Sequence, residues 1–268
     1  PAGGGGTRGW GGPAPPGPGG RAPDRHTDTR QYLRHSQLHR PQVPLDLAGP
    51  VSSQQYGNWL FFEYLSQRFG VPVVRAAWQQ AGMGRRDGRR HSLGALRAAL
   101  REHGGLAEAY VRFATANTMP SRFYPEGASY GTPAPAERHV LSPTRATLSR
   151  TARIDHLAAR TYRFVPSPAL RRGWRLRVGV HGIRPARARV VVHRLDGTVA
   201  EFELTLRRGR GAMQVPFTST RIRWVSVTMA NTSTRIKCGL KPRSDLSCGG
   251  RALDDDAKFA LTVTARPR

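Results

Sequence analysis

From residue 52 to residue 118 the apolar side chains recur every three or four positions, and from about residue 146 they alternate with polar ones. The first spacing is that of helices; the second is that of strands with one buried face. In QQYGNWLFFEYLSQRFG, Tyr56, Trp59, Leu60, Phe62, Tyr64, Leu65 and Phe69 surround most of a helix, the breadth expected of a buried one. Gly70 stands where a C′ glycine would end it, and Pro72 suits the first turn of the next helix. That helix carries Val73, Val74, Ala77, Trp78 and Ala81 and stops at Gly82, before a basic loop, MGRRDGRRH. Ser92 is placed to cap a third helix bearing Leu93, Leu96 and Leu100, closed by Gly104 and Gly105. A fourth carries Leu106, Tyr110, Phe113 and Ala114 and ends before Pro120. Four helices on short loops predict an antiparallel cluster, with Tyr56, Trp59, Phe62, Leu65, Trp78 and Phe113 in its core.

The strand pattern is equally regular. WRLRVGV puts Trp174, Leu176, Val178 and Val180 on one face, with Arg175 and Arg177 on the other. RVVVHRLDGTVAEFELTL is two runs around Asp196-Gly197, a type I′ hairpin signal. IRWVSVTMA and FALTVTA add strands, and turns every 8–12 residues predict an antiparallel β-sandwich of about seven strands. The alternating arginines read as its solvated outer face. The fold class is therefore α+β and multidomain: a Gly/Pro-rich disordered segment at 1–28, a helical region at 29–122, a linker at 123–145 and a sandwich of jelly-roll or immunoglobulin-like type at 146–268. Within the helical region, residues 29–51 read as extended or irregular, punctuated by Pro41, Pro44 and Pro50.

Charge changes the picture less than its size suggests. The net charge is +26, from 43 Lys and Arg against 17 Asp and Glu; three of the cations are lysines (Lys237, Lys241, Lys258), so 40 are arginines. They are scattered through helices and strands and form no polybasic tail. Compositional bias toward Arg, Gly, Ala and Pro explains them as well as polyanion binding does. The aromatics fall at core-periodic positions and are not interleaved with basic residues as in single-strand binders, so no specific nucleic acid is expected as a partner. No stretch approaches the roughly 20 apolar residues of a membrane span. The chain begins without Met or a signal-peptide pattern, and reads as a mature product, a fragment or a displaced gene start.

Candidate chemistry is sparse. LRHSQLHRPQ holds His35 and His39 at the H-x-x-x-H spacing of a zinc-protease helix, but Ser36 stands where the catalytic glutamate would, Arg34 and Arg40 flank the pair, and Pro41 follows at once. The reading is a solvated polar loop. Asp254, Asp255 and Asp256 do not follow a calcium-loop pattern and read as a solvated turn. Glu63 is expected at a helix surface, and His156 and His181 have no companion nucleophile. The glycine-rich start lacks the Lys-Ser/Thr of a phosphate loop. Cys238 and Cys248 lack the knuckle pairs of a zinc ribbon; a disulfide across the turn-rich GLKPRSDLS fits better than two free thiols and points to an oxidising compartment. The residues therefore assign no catalytic or metal position.

RQYLRHSQLHRPQVPLD, YGNWLFFEYLSQRFG and FATANTMPSRFYPEG, followed by RIDHLAARTYRF, NTSTRIKC, SCGGRALDDD and KFALTV, resemble successive pieces of secreted bacterial zinc-metalloprotease-like proteins of the gluzincin type. The resemblance runs from about Thr29 to Thr264, and its most specific parts are Y-G-N-W-L-F-F-E-Y-L-S and C…S-C-x-G…D-D. It implies the Cys238–Cys248 disulfide, secretion, and a helical region that is the C-terminal half of a catalytic domain. In that family the H-E-x-x-H helix precedes R-Q-Y-L. Here no residue maps onto a zinc ligand or the catalytic base, so zinc is expected only in a full-length relative, and residues 1–28 are expected to be a truncated or frame-shifted gene start. Apolar faces of Trp59, Phe62 and Trp78, meant for the missing helices, are expected to be exposed. The resulting expectation is a non-catalytic chain whose sandwich binds peptide or a cell-surface polymer. The alternative is a basic protein that binds polyanions or nucleic acid.

Overall fold

Residues 31–49, 53–83 and 91–268 are described in a computed structural model of the chain. The Gly/Pro-rich segment 1–28 and the basic RRDGRR cluster lie outside the described residues. The alternating half forms β1 (Glu137–Leu141), β2 (Thr147–Ile154), β3 (Ala158–Pro166), β4 (Trp174–His181), β5 (Ala186–Arg194), β6 (Val199–Leu204), β7 (Arg210–Pro216), β8 (Ile222–Asn231), β9 (Ile236–Lys237), β10 (Arg251–Ala252) and β11 (Ala257–Pro267). A five-stranded sheet, β1-β3-β8-β5-β6, faces a four-stranded sheet, β2-β11-β4-β7, and β9 and β10 form a small ribbon. Without β1, the two sheets have the strand order of a jelly roll, which selects that form of sandwich over the immunoglobulin one. The facing sides bury Tyr162, Phe164, Val190, Val227, Phe259 and Leu261 together with Leu176, Val178 and Val180, the last three on the face that the alternation placed inward.

Three expectations change here. The stretch read as a linker supplies β1, which pairs in parallel with β3 from Glu137↔Tyr162 to Leu141↔Pro166. Glu137 also accepts a hydrogen bond from Arg150 of β2 at 2.7 Å, a pin between the two sheets at their open edge. The Asp196-Gly197 hairpin exists but is not type I′: among non-glycine residues Asp196 has no positive φ, whereas Gly197 has φ 82°. The Arg194 amide bonds the Thr198 carbonyl, giving a three-residue loop with glycine in the left-handed position. The arginines do not all lie on solvated faces. Arg175 and Arg177 belong to the open side of the four-stranded sheet, but the outer side of the five-stranded sheet is covered by helices, and Arg189 is buried there.

The helical region contains α1 (Trp59–Phe69), α2 (Val71–Met83), α3 (Ser92–Ala99) and α4 (Gly105–Ala116), with a short turn at Gln54–Gly57 before α1. Gly70 ends α1 with φ 86° and donates its N–H to Ser66. His91, not Ser92, occupies the N-cap of α3; the Ser92 hydroxyl instead meets that of Ser247 at 2.7 Å. α4 lies across β5 and β8. Its Leu106, Ala109, Tyr110 and Phe113 share one core with Leu60, Phe61, Tyr64 and Leu65 of α1, and with Leu157, Ala159 and Ala230 of the sandwich.

Of the six residues assigned to the helical core, Leu65 and Phe113 are buried and Trp59 and Phe62 half-buried. Tyr56 and Trp78 are not core: they are 53% and 68% exposed. α1 is interrupted from the preceding turn at Asn58, which rotates Gln54 and Gly57 inward and Tyr56 out against Tyr32. In α2, Val73 and Ala77 form the buried stripe, and Trp78 stands one residue, about 100°, outside it.

Residues 31–33 are helical and 34–49 are turns and irregular backbone, yet the segment is part of the core, burying Leu33, Leu38 and Leu45. Gly57 explains their fit: a Cβ there would stand 2.5 Å from the Ser36 amide nitrogen, so only glycine permits the approach. Asn58 next to it donates to the Leu45 carbonyl at 2.5 Å. The Y-G-N-W motif is thus an anchor for the segment that precedes it.

Candidate functional site

The junction of helices and sandwich is organised around His156. It follows β2 in a turn whose next residue, Leu157, is fully buried with φ 46°, a strained conformation for a bulky side chain. That geometry aims the Leu157 carbonyl at the N-terminal segment, where it accepts the Leu45 amide at 3.0 Å and the Gln37 side-chain nitrogen at 2.7 Å. The same turn points the imidazole of His156 between two carboxylates. Nε2 donates to Asp46 and Nδ1 to Asp255, each at 2.6 Å, and the His156 side chain is 1% exposed. Burial alone would lower its pKa; the hydrogen bonds and charges of Asp46 and then Asp255 outweigh burial and raise it to about 9. Both ring nitrogens are committed to carboxylates, so the imidazolium clasps the layers together.

Asp46 extends the clasp. Its second oxygen accepts the Ser247 amide at 3.3 Å. The Ser247 hydroxyl lies 3.1 Å from His91 Nδ1 and 2.7 Å from Ser92, shared and largely buried rather than presented as a nucleophile. Ser247 precedes Cys248, which is bonded to Cys238. A ring nitrogen of His91 and the two sulfurs lie within 4.8 Å of one another, the one such grouping among the described residues, but both sulfurs are held in the disulfide.

The aspartate run is a turn before β11 with Asp255 and Asp256 exposed, as expected, but its carboxylates are paired. Asp254 accepts from Ser233 at 2.5 Å and from Arg235 at 3.1 Å, Asp255 takes His156, and Asp256 pairs with Arg153 at 2.5 Å. Three carboxylates pulled to three different partners do not converge on a cation. Glu63 is half-buried and accepts from Gln67 on the same helix, and His181 is exposed on β4.

The zinc that the resemblance implies for a full-length relative does not fit this chain's histidine pair. His35 and His39 sit in successive tight turns rather than on one helical face: His35 and Ser36 bond back three residues, and His39 bonds back to Ser36. His35 Nε2 is occupied by the Arg34 guanidinium at 3.1 Å, and burial, Arg40 and Arg34 all lower its pKa. His39 is exposed and joins no group of metal-ligating side chains among the described residues.

Beside the clasp is a cleft of 360 Å³ between the two layers. Gln37, His39 and Pro41 form one wall, Asn117 and Thr118 at the end of α4 a second, Pro133 and Pro135 a third, and Arg160, Thr161, Arg163 and Ser226 the sheet floor. Among the described residues no carboxylate lines it. The Asn117 oxygen is fixed by the Tyr124 hydroxyl at 2.6 Å, which leaves its buried Nδ2 as a donor without a partner among the described residues. Arg163 lies 4.6 Å over the ring of Trp224, and its buried Nε is also unpartnered. Arg223 lies over the same ring at 4.8 Å, and the His193 ring packs against it at 4.6 Å with a tilt of 32°. Burial first, then Arg163, Arg223 and Arg122, push the His193 pKa down to about 4, so that imidazole is neutral.

No protein-family profile matches the sequence, and no curated protein does. Among solved structures, the periplasmic inhibitor of g-type lysozyme PliG from Aeromonas hydrophila is similar at 12% identity and TM-score 0.29, covering 49% of this chain and 100% of that one. The pre-peptidase C-terminal domain of collagenase from Bacillus anthracis is similar at 7% identity and TM-score 0.29, covering 51% and 100%. The surface-associated copper-binding protein CorA of Methylomicrobium album BG8 is similar at 8% identity and TM-score 0.27, covering 50% and 100%.

Proposed function

We propose that this chain is a non-catalytic portion of a secreted zinc-metalloprotease-like protein. Its helical layer seats the zinc-bearing helices of a catalytic half, and its jelly roll serves for binding peptide or cell-surface polymer. The observation that carries this reading is an apolar face on α1, α2 and α3 with nothing over it among the described residues. Phe62, Ala77, Trp78, Ala81 and Leu96 line a shallow groove there, and Val71 is 63% exposed nearby. Apolar patches of this kind mark interfaces. The disulfide supports an oxidising compartment. On this reading Trp78→Ser leaves the free energy of unfolding within about 0.5 kcal/mol and lowers binding of an apolar-surface dye; a larger loss of stability would return Trp78 to the core. On the same reading the purified chain is expected to retain no stoichiometric zinc and not to cleave casein. Stoichiometric zinc that disappears in His35→Ala would overturn the assignment.

A second reading rests on the open face of the four-stranded sheet. Arg153, Arg177, Arg210, Lys258 and Arg266 are exposed there around a floor of Ser149, Thr262 and Thr264, with Asp256 at the rim paired to Arg153. That surface suits a polyanion without sequence specificity. Tight, saturable heparin or DNA binding that falls steeply with salt would favour it over the first reading.

A further inference from the structure

Two arginines on the helix-covered side of the five-stranded sheet are treated differently. Arg189 of β5 is buried and reaches two carboxylates, Glu108 and Glu201, each at 3.4 Å. Arg163 of β3 is half-buried, and among the described residues it meets no carboxylate. Burial first, then the charges of Arg138 and Arg223, depress its pKa. A guanidinium desolvated among cations lacks a counter-anion. It is held in place by the ring of Trp224 and lies on the floor of the cleft.

A second observation points to the same space. Asn117, 3% exposed, lines the cleft, and its amide is oriented by Tyr124 so that the NH2 group is the uncommitted end. Buried polar groups are almost always paired, so an unpaired amide donor and an unpaired guanidinium donor on one cleft describe what is missing: an acceptor bearing negative charge. The remaining lining limits its nature. Pro41, Pro133 and Pro135 offer apolar contact, and the volume suits a ligand of small-molecule size.

We propose that this cleft is a binding site for a small carboxylate-bearing organic molecule. Its carboxylate takes donors from Arg163 and Asn117, and its apolar part lies against the prolines. The proposal uses neither the groove beside Trp78 nor the open sheet face, and so stands apart from both readings above.

Titration calorimetry on the full chain, with fluorescence of Trp224 as a second readout, tests it. The probes are N-acetyl-Ala-Pro and its C-terminal amide, glucuronate and glucose, and inorganic phosphate. Saturable binding is expected for at least one carboxylate, weakened about tenfold or more when the acid is replaced by its neutral counterpart. The peptide pair and the sugar pair distinguish a peptide terminus from a sugar acid as the source of the carboxylate. Arg163→Gln and Asn117→Ala each weaken binding by about tenfold, while Arg175→Gln on the opposite sheet leaves it unchanged. Circular dichroism melts confirm that the variants are folded, and Asn117→Asp, which keeps the size but places a negative charge in the cleft, also weakens binding. The proposal fails if the amide binds as well as the acid, if phosphate binds as tightly as the carboxylates, if Arg163→Gln binds undiminished, or if no carboxylate probe saturates below about 10 mM.

Discussion

A His156→Ala substitution will lower the free energy of unfolding by about 3–5 kcal/mol. The loss comes less from the missing imidazolium than from what it leaves behind. Asp46, with a side chain 4% exposed, becomes a buried carboxylate facing a cavity, and Asp255 loses its partner. Asp46→Asn in the same background should restore part of the loss, because it removes the stranded charge. The double-mutant cycle separates that coupling from simple packing. Urea denaturation of the four proteins measures it, and a single-mutant effect below about 1 kcal/mol would show that the clasp is inert. The same group gives a pH signature. His156 holds its proton more tightly folded, at about 9 against 6.5, so its contribution of roughly 3 kcal/mol is fully present below pH 6.5 and is lost as pH rises through 9. His193 runs the other way. Its pKa of about 4 against 6.5 means that stability is present above pH 6.5 and is lost as pH falls toward 4. Together they place the stability maximum near pH 6.5, and His156→Ala should flatten the alkaline side alone.

Reduction of Cys238–Cys248 will cost about 3 kcal/mol. The bond closes a short loop between residues ten apart, and the loop contributes to the junction beyond its own closure. Asp245 accepts the Ala48 amide at 2.7 Å, and Ser247 meets Asp46, Ser92 and His91. A loosened loop therefore withdraws hydrogen bonds from the clasp as well as freeing the unfolded chain. Denaturation with and without dithiothreitol, and of a Cys238→Ser/Cys248→Ser variant, reads the effect. The loss should shrink in the His156→Ala background, where the clasp is already broken. Equal losses in both backgrounds would mean that the disulfide acts only through loop closure.

The elements were legible wherever one period persisted. Val73 and Ala77 on α2, Leu106 and Tyr110 on α4, and Leu176, Val178 and Val180 on β4 lie on the faces their spacing assigned. The apolar character of Trp78 is legible in the sequence, but its side chain stands about 100° from Ala77, outside the buried stripe. β1 was hidden because ERHVL is five residues long, follows a proline-rich run and is paired in parallel by a strand it does not adjoin in sequence. The junction was the least legible part. His156 lies 110 residues from Asp46 and 99 from Asp255, and no local pattern announces a pair of that separation. Yet the stretches that carried the family resemblance, Y-G-N-W, P-L-D, R-I-D-H-L, S-C-G-G and D-D-D, all meet there. Asn58, Asp46, His156, Ser247 and Asp255 are their members in the clasp and its supports. The cleft left no sequence signal, because a missing counter-ion is visible only once the neighbours of an arginine are known.

β11 follows the other described strands in sequence, yet it lies between β2 and β4 and pairs with both along most of its length. During synthesis, the four-stranded sheet therefore has no centre until β11 has emerged, while the helices, whose contacts are closer in sequence, can form earlier. Asp255 immediately precedes that strand. Asp46 and His156 are synthesised well before it, so the clasp closes only once β11 has arrived, and its closure is a late step of folding rather than an early one.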